Sequence, residues 1–132
     1  MDYLSGKQGS TGINKDGKPI KNICSGSNFT NFCDDIFLNL NPDVKAEIVE
    51  KFLTSDVVDV LKDSELVESV SAFFNNNLNI SETSRNAFLH RNTLLYRIEK
   101  IYKLTGLNVR NFDDALYFKL LMTIYSNITK NN

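Results

Sequence analysis

Between residues 90 and 100 the sequence sets His90, Arg91, Asn92 and Thr93 side by side, then Tyr96, Arg97 and Lys100 within the next two helical turns. These types share one chemistry, the recognition of nucleic acid. A guanidinium grips O6 and N7 of guanine through two hydrogen bonds, an Asn amide pairs with adenine, and a Thr methyl touches thymine. Arg97 and Lys100 are spaced for phosphates, which fix register without reading sequence. Tyr96 can meet a sugar-phosphate or a base edge, or can be an ordinary packing residue, as can Tyr102.

Other chemistries lack their parts. His90 is the only histidine, and no second ligand lies at helical spacing, so a helix cap or phosphate contact fits it better than a metal. Cys24 and Cys33 form no CxxC pair, which suggests two reduced structural thiols rather than zinc or a disulfide framework. The GSTG at 9–12 lacks the following Lys-Ser/Thr of a phosphate loop. A calcium loop around Gly17 would put Gly12 and Ile23 where end carboxylates are needed. We therefore expect no enzyme, cofactor or metal. No run reaches the ~18 apolar residues of a membrane helix, and the N-terminus lacks a signal-peptide plan. No membrane partner and a cytoplasmic location are the expectations.

The formal charge of −1 hides an uneven distribution. Up to residue 84 there are 7 Lys against 13 Asp or Glu, a balance of −6. Residues 85 to 110 carry 6 Lys or Arg against Glu99 alone, a balance of +5. Attraction to DNA depends on local positive density, so this segment is either a phosphate-binding surface or a solvated basic helix face.

Apolar spacing supplies the elements that would hold those side chains. Residues 1–40 read as a flexible or partly ordered N-terminal segment, with a possible hairpin turn at Lys15–Lys18. Within it Phe32, Ile36, Phe37 and Leu40 have helical spacing, as a leading helix or an arm packing on a partner. Residues 41–63 read as linking helices, the first capped by Asn41 with Pro42 at its first position, the second capped by Ser55. Residues 64–128 read as a further domain. Ser64 opens a helix carrying Leu66, Val67, Val70, Phe73 and Phe74, and the Asn75–Asn77 run ends it. With no strand pattern after Pro42, the fold class is all-α, with about six helices from there on.

Ser81 is placed to cap a short helix over 82–87, and Phe88 and Leu89 make a tight connection to a second helix over 90–104. Leu94, Ile98, Ile101 and Thr105 line one face of that helix, while Arg91, Asn92, Tyr96, Glu99, Lys100 and Lys103 turn away, with Glu99 and Lys103 spaced as an ion pair. This is a helix-turn-helix, in which the first helix buttresses a second whose N-terminal turns enter a major groove. Gly106 suits a left-handed cap. Asn111 caps a last helix, with Asp114 completing a capping box. The wide apolar arc of that helix either completes the core or forms a two-fold contact between copies.

The run His90-Arg91-Asn92-Thr93-Leu94-Leu95-Tyr96-Arg97-Ile98, followed by Lys100-Ile101 and Leu104-Thr105-Gly106-Leu107, resembles the C-terminal helix-turn-helix of PucR-type regulators, the purine-catabolism and sugar-diacid group. A more distant likeness runs to Fis-like recognition helices. The resemblance covers residues 66 to 124, with Leu66–Val70 matching the family's opening helix and Phe112–Tyr125 its closing one. It implies sequence-specific binding of double-stranded DNA by a homodimer, in control of catabolic or related genes; it names no small-molecule effector. Three positions depart from the pattern. Phe88 stands where many helix-turn-helix proteins use Gly, so the backbone there either avoids the left-handed conformation or bears strain. Ser84 replaces a common alanine, and Leu95 replaces a common arginine, leaving an apolar group near the groove. The family's sensory regions are not in this chain, which is thus either a fragment or a small regulator with a different input. The competing reading is a protein-interaction module that keeps the scaffold without reading DNA.

Overall fold

The computed structural model describes residues 27–130, and among them seven helices and no strand. The expected loop, the Lys15–Lys18 turn and Cys24 lie outside the described residues. The all-α class holds, and six helices follow Pro42 as the periodicity predicted. They are preceded by α1 (Ser27–Leu38), so the apolar spacing before Leu40 belongs to a leading helix. α1 packs on the last helix, buries Phe37, and leaves Cys33 as a free, half-buried thiol. Burial and the neighbouring Asp34 carboxylate push that thiol's pKa up, against a smaller opposing pull from Lys119.

The helices after α1 start where a side chain satisfies amide groups that have no intrahelical partner. Asn41 accepts from the Asp43 amide at 2.7 Å, opening α2 (Pro42–Phe52) with Pro at its first turn, as expected. Thr54, not Ser55, caps α3 (Ser55–Lys62): its hydroxyl accepts from the Val57 amide, and Ser55 is already helical. Asp63 ends α3 and caps α4 (Ser64–Asn75), its Oδ1 accepting from Glu65 and Leu66 at 3.1 and 3.3 Å. The asparagine run ends α4 as predicted, with Asn77 and Leu78 at φ 56 and 61.

α5 (Ile80–Asn86) begins earlier than expected, because Asn79 rather than Ser81 is the cap, its Oδ1 accepting from the Glu82 amide at 2.8 Å. The shift follows from Ile80, which is buried and must be helical to reach the core. α6 (Arg91–Thr105) ends at Gly106, whose φ of 80 is the left-handed cap the sequence predicted. α7 (Phe112–Lys130) is entered through Asn111, which accepts from the Asp113 amide at 3.2 Å. Asp114 does not close a capping box on Asn111; its carboxylate reaches further back to the Asn108 amide at 3.0 Å and ties down the connection from α6.

One apolar core joins α3 to α7. Val60, Val70, Phe73, Leu94, Ile101, Val109, Phe118 and Leu121 are essentially sealed from solvent. Each such side chain contributes about 1.5–3 kcal/mol on leaving water. α7 completes this core through Phe118 and Leu121 on one side, and takes α1 on another, with Asn127 Nδ2 donating to Asp34 at 3.1 Å. Phe112, Leu116 and Tyr117 remain exposed.

The cap assignment is testable by urea denaturation. Asn79→Ala should lower unfolding free energy by about 1 kcal/mol, whereas Ser81→Ala, on an exposed helical site, should stay within about 0.5 kcal/mol. The reverse order would return the cap to Ser81.

Candidate nucleic-acid interface

The short connection between α5 and α6 is held by polar bonds rather than by glycine. Thr83 is completely buried, and its hydroxyl donates to the Asn79 carbonyl at 2.6 Å. The Ala87 amide donates to the Thr83 carbonyl at 2.9 Å, and the Leu89 amide to the Ser84 carbonyl at 3.0 Å. The Ser84 hydroxyl donates back to the Leu89 carbonyl, so both polar groups of Leu89 end on one residue. Serine at this helix contact therefore clamps the turn, a role an alanine could not fill.

Phe88 settles the alternative left by its sequence position: its φ is 53, left-handed, and its side chain is 95 % exposed. A side chain with a Cβ pays roughly 1–2 kcal/mol for that conformation. Among the described residues nothing packs on the ring to offset it. The surrounding bonds impose the geometry, and Phe88 tolerates it.

His90 then becomes the cap of α6, its Nδ1 accepting from the Asn92 amide at 3.1 Å. With Nδ1 occupied as an acceptor, Nε2 is the nitrogen left to carry a proton for donation. The ring is exposed. His90 thus serves as a helix cap, as the sequence allowed, while still presenting a donor.

From the first turn of α6 the apolar stripe Leu94, Ile98 and Ile101 is buried against α3, α4 and α5. Helical geometry then turns the opposite face to solvent. Arg91, Asn92, Tyr96, Glu99, Lys100 and Lys103 are all exposed, the set the periodicity placed there, with Tyr96 at 66 %. Thr93 is half-buried at the flank. Arg91 rests on the preceding helix, its Nη1 donating to Ser81 Oγ at 3.1 Å. Glu99 and Lys103 form no ion pair; among the described residues the ion pairs are Arg85–Glu82 and Arg97–Glu65.

Two residues of α6 have partners within the protein that the sequence did not show. Leu95 is half-buried against the core rather than displayed towards a groove. Arg97, expected as a phosphate contact, has a side chain 22 % exposed, with Nη1 donating to Ser69 Oγ at 2.8 Å and Nη2 3.6 Å from Glu65. It sits one position before the buried Ile98, at the margin of the apolar stripe, and so turns towards α4. Sequence reasoning missed Ser69, Ser81 and Ser84 as partners, because a serine on a helix carries no local signal of what its hydroxyl meets.

Among the described residues no group of three or more His, Cys, Asp or Glu is gathered to hold a metal ion. No described helix is long and apolar enough to cross a membrane.

Comparison with known proteins identifies the arrangement. Residues 66–124 match the model of the PucR C-terminal helix-turn-helix domain. Residues 66–124 are a PucR-type helix-turn-helix domain. This PucR-type domain opens in the first turn of α4 and closes within α7. It is 47 % identical over 51 residues, 39 % of this chain, to the carbohydrate diacid regulator of Escherichia coli K12, of which it covers 13 %. It is also similar to the purine catabolism regulatory protein of Bacillus subtilis 168, at 28 % over 80 residues, which is 58 % of this chain and 15 % of that protein. A third relative, YsfB of the same Bacillus, is 30 % identical over 91 residues, or 64 % of this chain and 24 % of its own length. The chain thus spans less than a quarter of the length of each of these relatives. No solved structure matches it significantly. The PucR-type domain is one found in transcription regulators.

The strain at the turn has a measurable outcome. Phe88→Gly should raise unfolding free energy by about 0.5–1 kcal/mol, the relief of the left-handed Cβ less the backbone entropy of glycine. A loss of stability in chemical denaturation would mean that the exposed ring makes a contact after all.

Proposed function

We propose that this chain is a sequence-specific DNA-binding transcription regulator that inserts the N-terminal turns of α6 into the major groove. The observation that carries the reading is the exposed cluster His90, Arg91, Asn92, Tyr96 and Lys100 at the cap and first turns of a helix whose stripe Leu94, Ile98 and Ile101 is sealed in the core. Arg91, released from Ser81, and Asn92 read base edges. Thr93 contributes a methyl at the flank, and His90 Nε2 and Lys100 hold phosphates, with Tyr96 against the sugar-phosphate or a base edge. The chain contributes no chemistry of its own; regulation follows from occupancy of the site.

The reading extends to a cytoplasmic homodimer. Two copies related by a two-fold axis would set their α6 helices about 34 Å apart, one turn of duplex. The exposed Phe112, Leu116 and Tyr117 on α7 support a contact between copies. The relatives named for carbohydrate diacids and purine catabolism point to catabolic genes as the targets.

Fluorescence anisotropy against genomic fragments tests this. A dimer that neutralises some six to ten phosphates should lose about a thousandfold or more in affinity between 50 and 200 mM salt. A flat response rejects the assignment. Arg91→Ala should reduce discrimination between cognate and random duplex by about 1–3 kcal/mol, whereas Lys100→Ala should weaken binding to all sequences alike. An equal loss on both duplexes from Arg91→Ala would remove it from base reading.

A further inference from the structure

We infer that Arg97 is a positioning residue: bonded to the buried hydroxyl of Ser69, it locks the rotation of α6 against α4 and so sets the register at which the outward residues meet DNA. The inference rests on the DNA-binding reading above, and deepens it. Arg97 differs from the other cations of the basic segment. Arg85, Arg91, Lys100, Lys103 and Arg110 are exposed, whereas the Arg97 fork is held between Ser69 Oγ at 2.8 Å and Glu65 at 3.6 Å.

Ser69 is 4 % exposed and lies on the core side of α4 between Leu66 and Phe73. No duplex can touch it. Its hydroxyl and the guanidinium depend on each other: were Arg97 to swing out to a phosphate, a buried polar group would lose this partner. Glu65, one turn earlier on α4, balances the outer edge of the charge.

The apolar stripe fixes which face of α6 is buried, and the polar lock refines the rotation within that face. Burial of Leu94, Ile98 and Ile101 is favourable over a range of helix rotations, since apolar contact is non-directional. A charge-assisted hydrogen bond is directional and weakens steeply when misaligned. One rigid polar bond at the margin of the stripe therefore selects one rotation, and with it the angles at which Asn92 and Tyr96 leave the helix.

Four proteins test this: wild type, Ser69→Ala, Arg97→Lys and, as the phosphate control, Lys100→Ala. Each is titrated by anisotropy against a cognate fragment and a random duplex at several salt concentrations, at a temperature where circular dichroism shows all four folded. Arg97→Lys keeps the charge and could still hold a phosphate, but loses the planar fork. Ser69→Ala and Arg97→Lys should each weaken cognate binding about tenfold, as one misread base pair would. Both should leave random-duplex affinity within about twofold and keep the slope of log affinity against log salt, whereas Lys100→Ala should flatten that slope by about one. Cognate affinity unchanged in Ser69→Ala overturns the lock, because a role in stability alone, or a phosphate contact by Arg97, predicts that result.

If wild type shows no salt-steep binding, the DNA reading fails by itself, and the lock is judged without DNA. In wild type the Arg97 Nε–H and guanidinium signals should show slowed rotation by NMR, lost in Ser69→Ala together with shifts at Asn92 and Tyr96. Free rotation in wild type would overturn the inference.

Discussion

The burial of Leu94, Ile98 and Ile101 is the constraint from which the geometry of the candidate site descends. Three side chains on one helical stripe meet α3, α4 and α5, and at about 100° per residue that choice dictates where every other residue of α6 points. Asn92, Tyr96, Glu99 and Lys103 fall opposite the stripe, Lys100 and Thr93 to one flank, Leu95 and Tyr102 to the other. The buried face is thus as much a part of the site as the exposed one. A helix turned by a single residue would bring Thr93, Arg97 and Lys100, or Leu95, Glu99 and Tyr102, towards the core and carry Leu94 out towards solvent.

Positioning the start of that helix is a separate task, performed by polar bonds in the α5–α6 connection. The buried Thr83, the reciprocal bonding of Ser84 with Leu89, and the His90 cap hold the chain through a left-handed residue with no glycine. Asn77 and Leu78, also left-handed, bring α5 in from α4 in the same way. Residues with a Cβ have fewer accessible states than glycine in the unfolded chain, so these connections lose less entropy on ordering, at the expense of native strain. The result is a first helix held firmly at both ends against the second.

Much of this was legible in the sequence, and the reason lies in periodicity. The apolar repeat of α4, α6 and α7 marked the helices, the Asn41-Pro42 pair and Gly106 marked boundaries through backbone chemistry, and the HRNTL run marked the domain. The errors in the caps came where two neighbouring polar residues, one or two positions apart, compete for one task. Ser55 lost to Thr54 and Ser81 to Asn79, since whichever residue lies just outside the first core-directed turn becomes the cap. Asp114 turned to Asn108 because the connection after Gly106 needed an acceptor. Phe88 could not be read either way, as the conformation at that point is imposed by Ser84 and Leu89 rather than by its own preference. Leu95 and Arg97 have partners that sequence does not announce: Leu95 packs on the core and Arg97 reaches Ser69 on another helix, and no local pattern signals a contact between residues 69 and 97.

The same point bears on what a recognition motif is. A run of nine residues on a helix passes through two and a half turns, so it cannot present all its side chains to one partner; some must face the protein. In His90–Ile98 the inward members are Leu94 and Ile98, with Arg97 and Leu95 at the margins, and the outward ones are Arg91, Asn92 and Tyr96. Likeness across the whole run therefore reflects two selective demands, one for what the helix touches outside and one for how it is seated. Charge alone cannot separate them, because arginine serves both: Arg91 reaches an exposed serine, and Arg97 reaches a buried one. Burial of the partner hydroxyl distinguishes the two, and it assigns the second arginine to the seating of the helix rather than to its display.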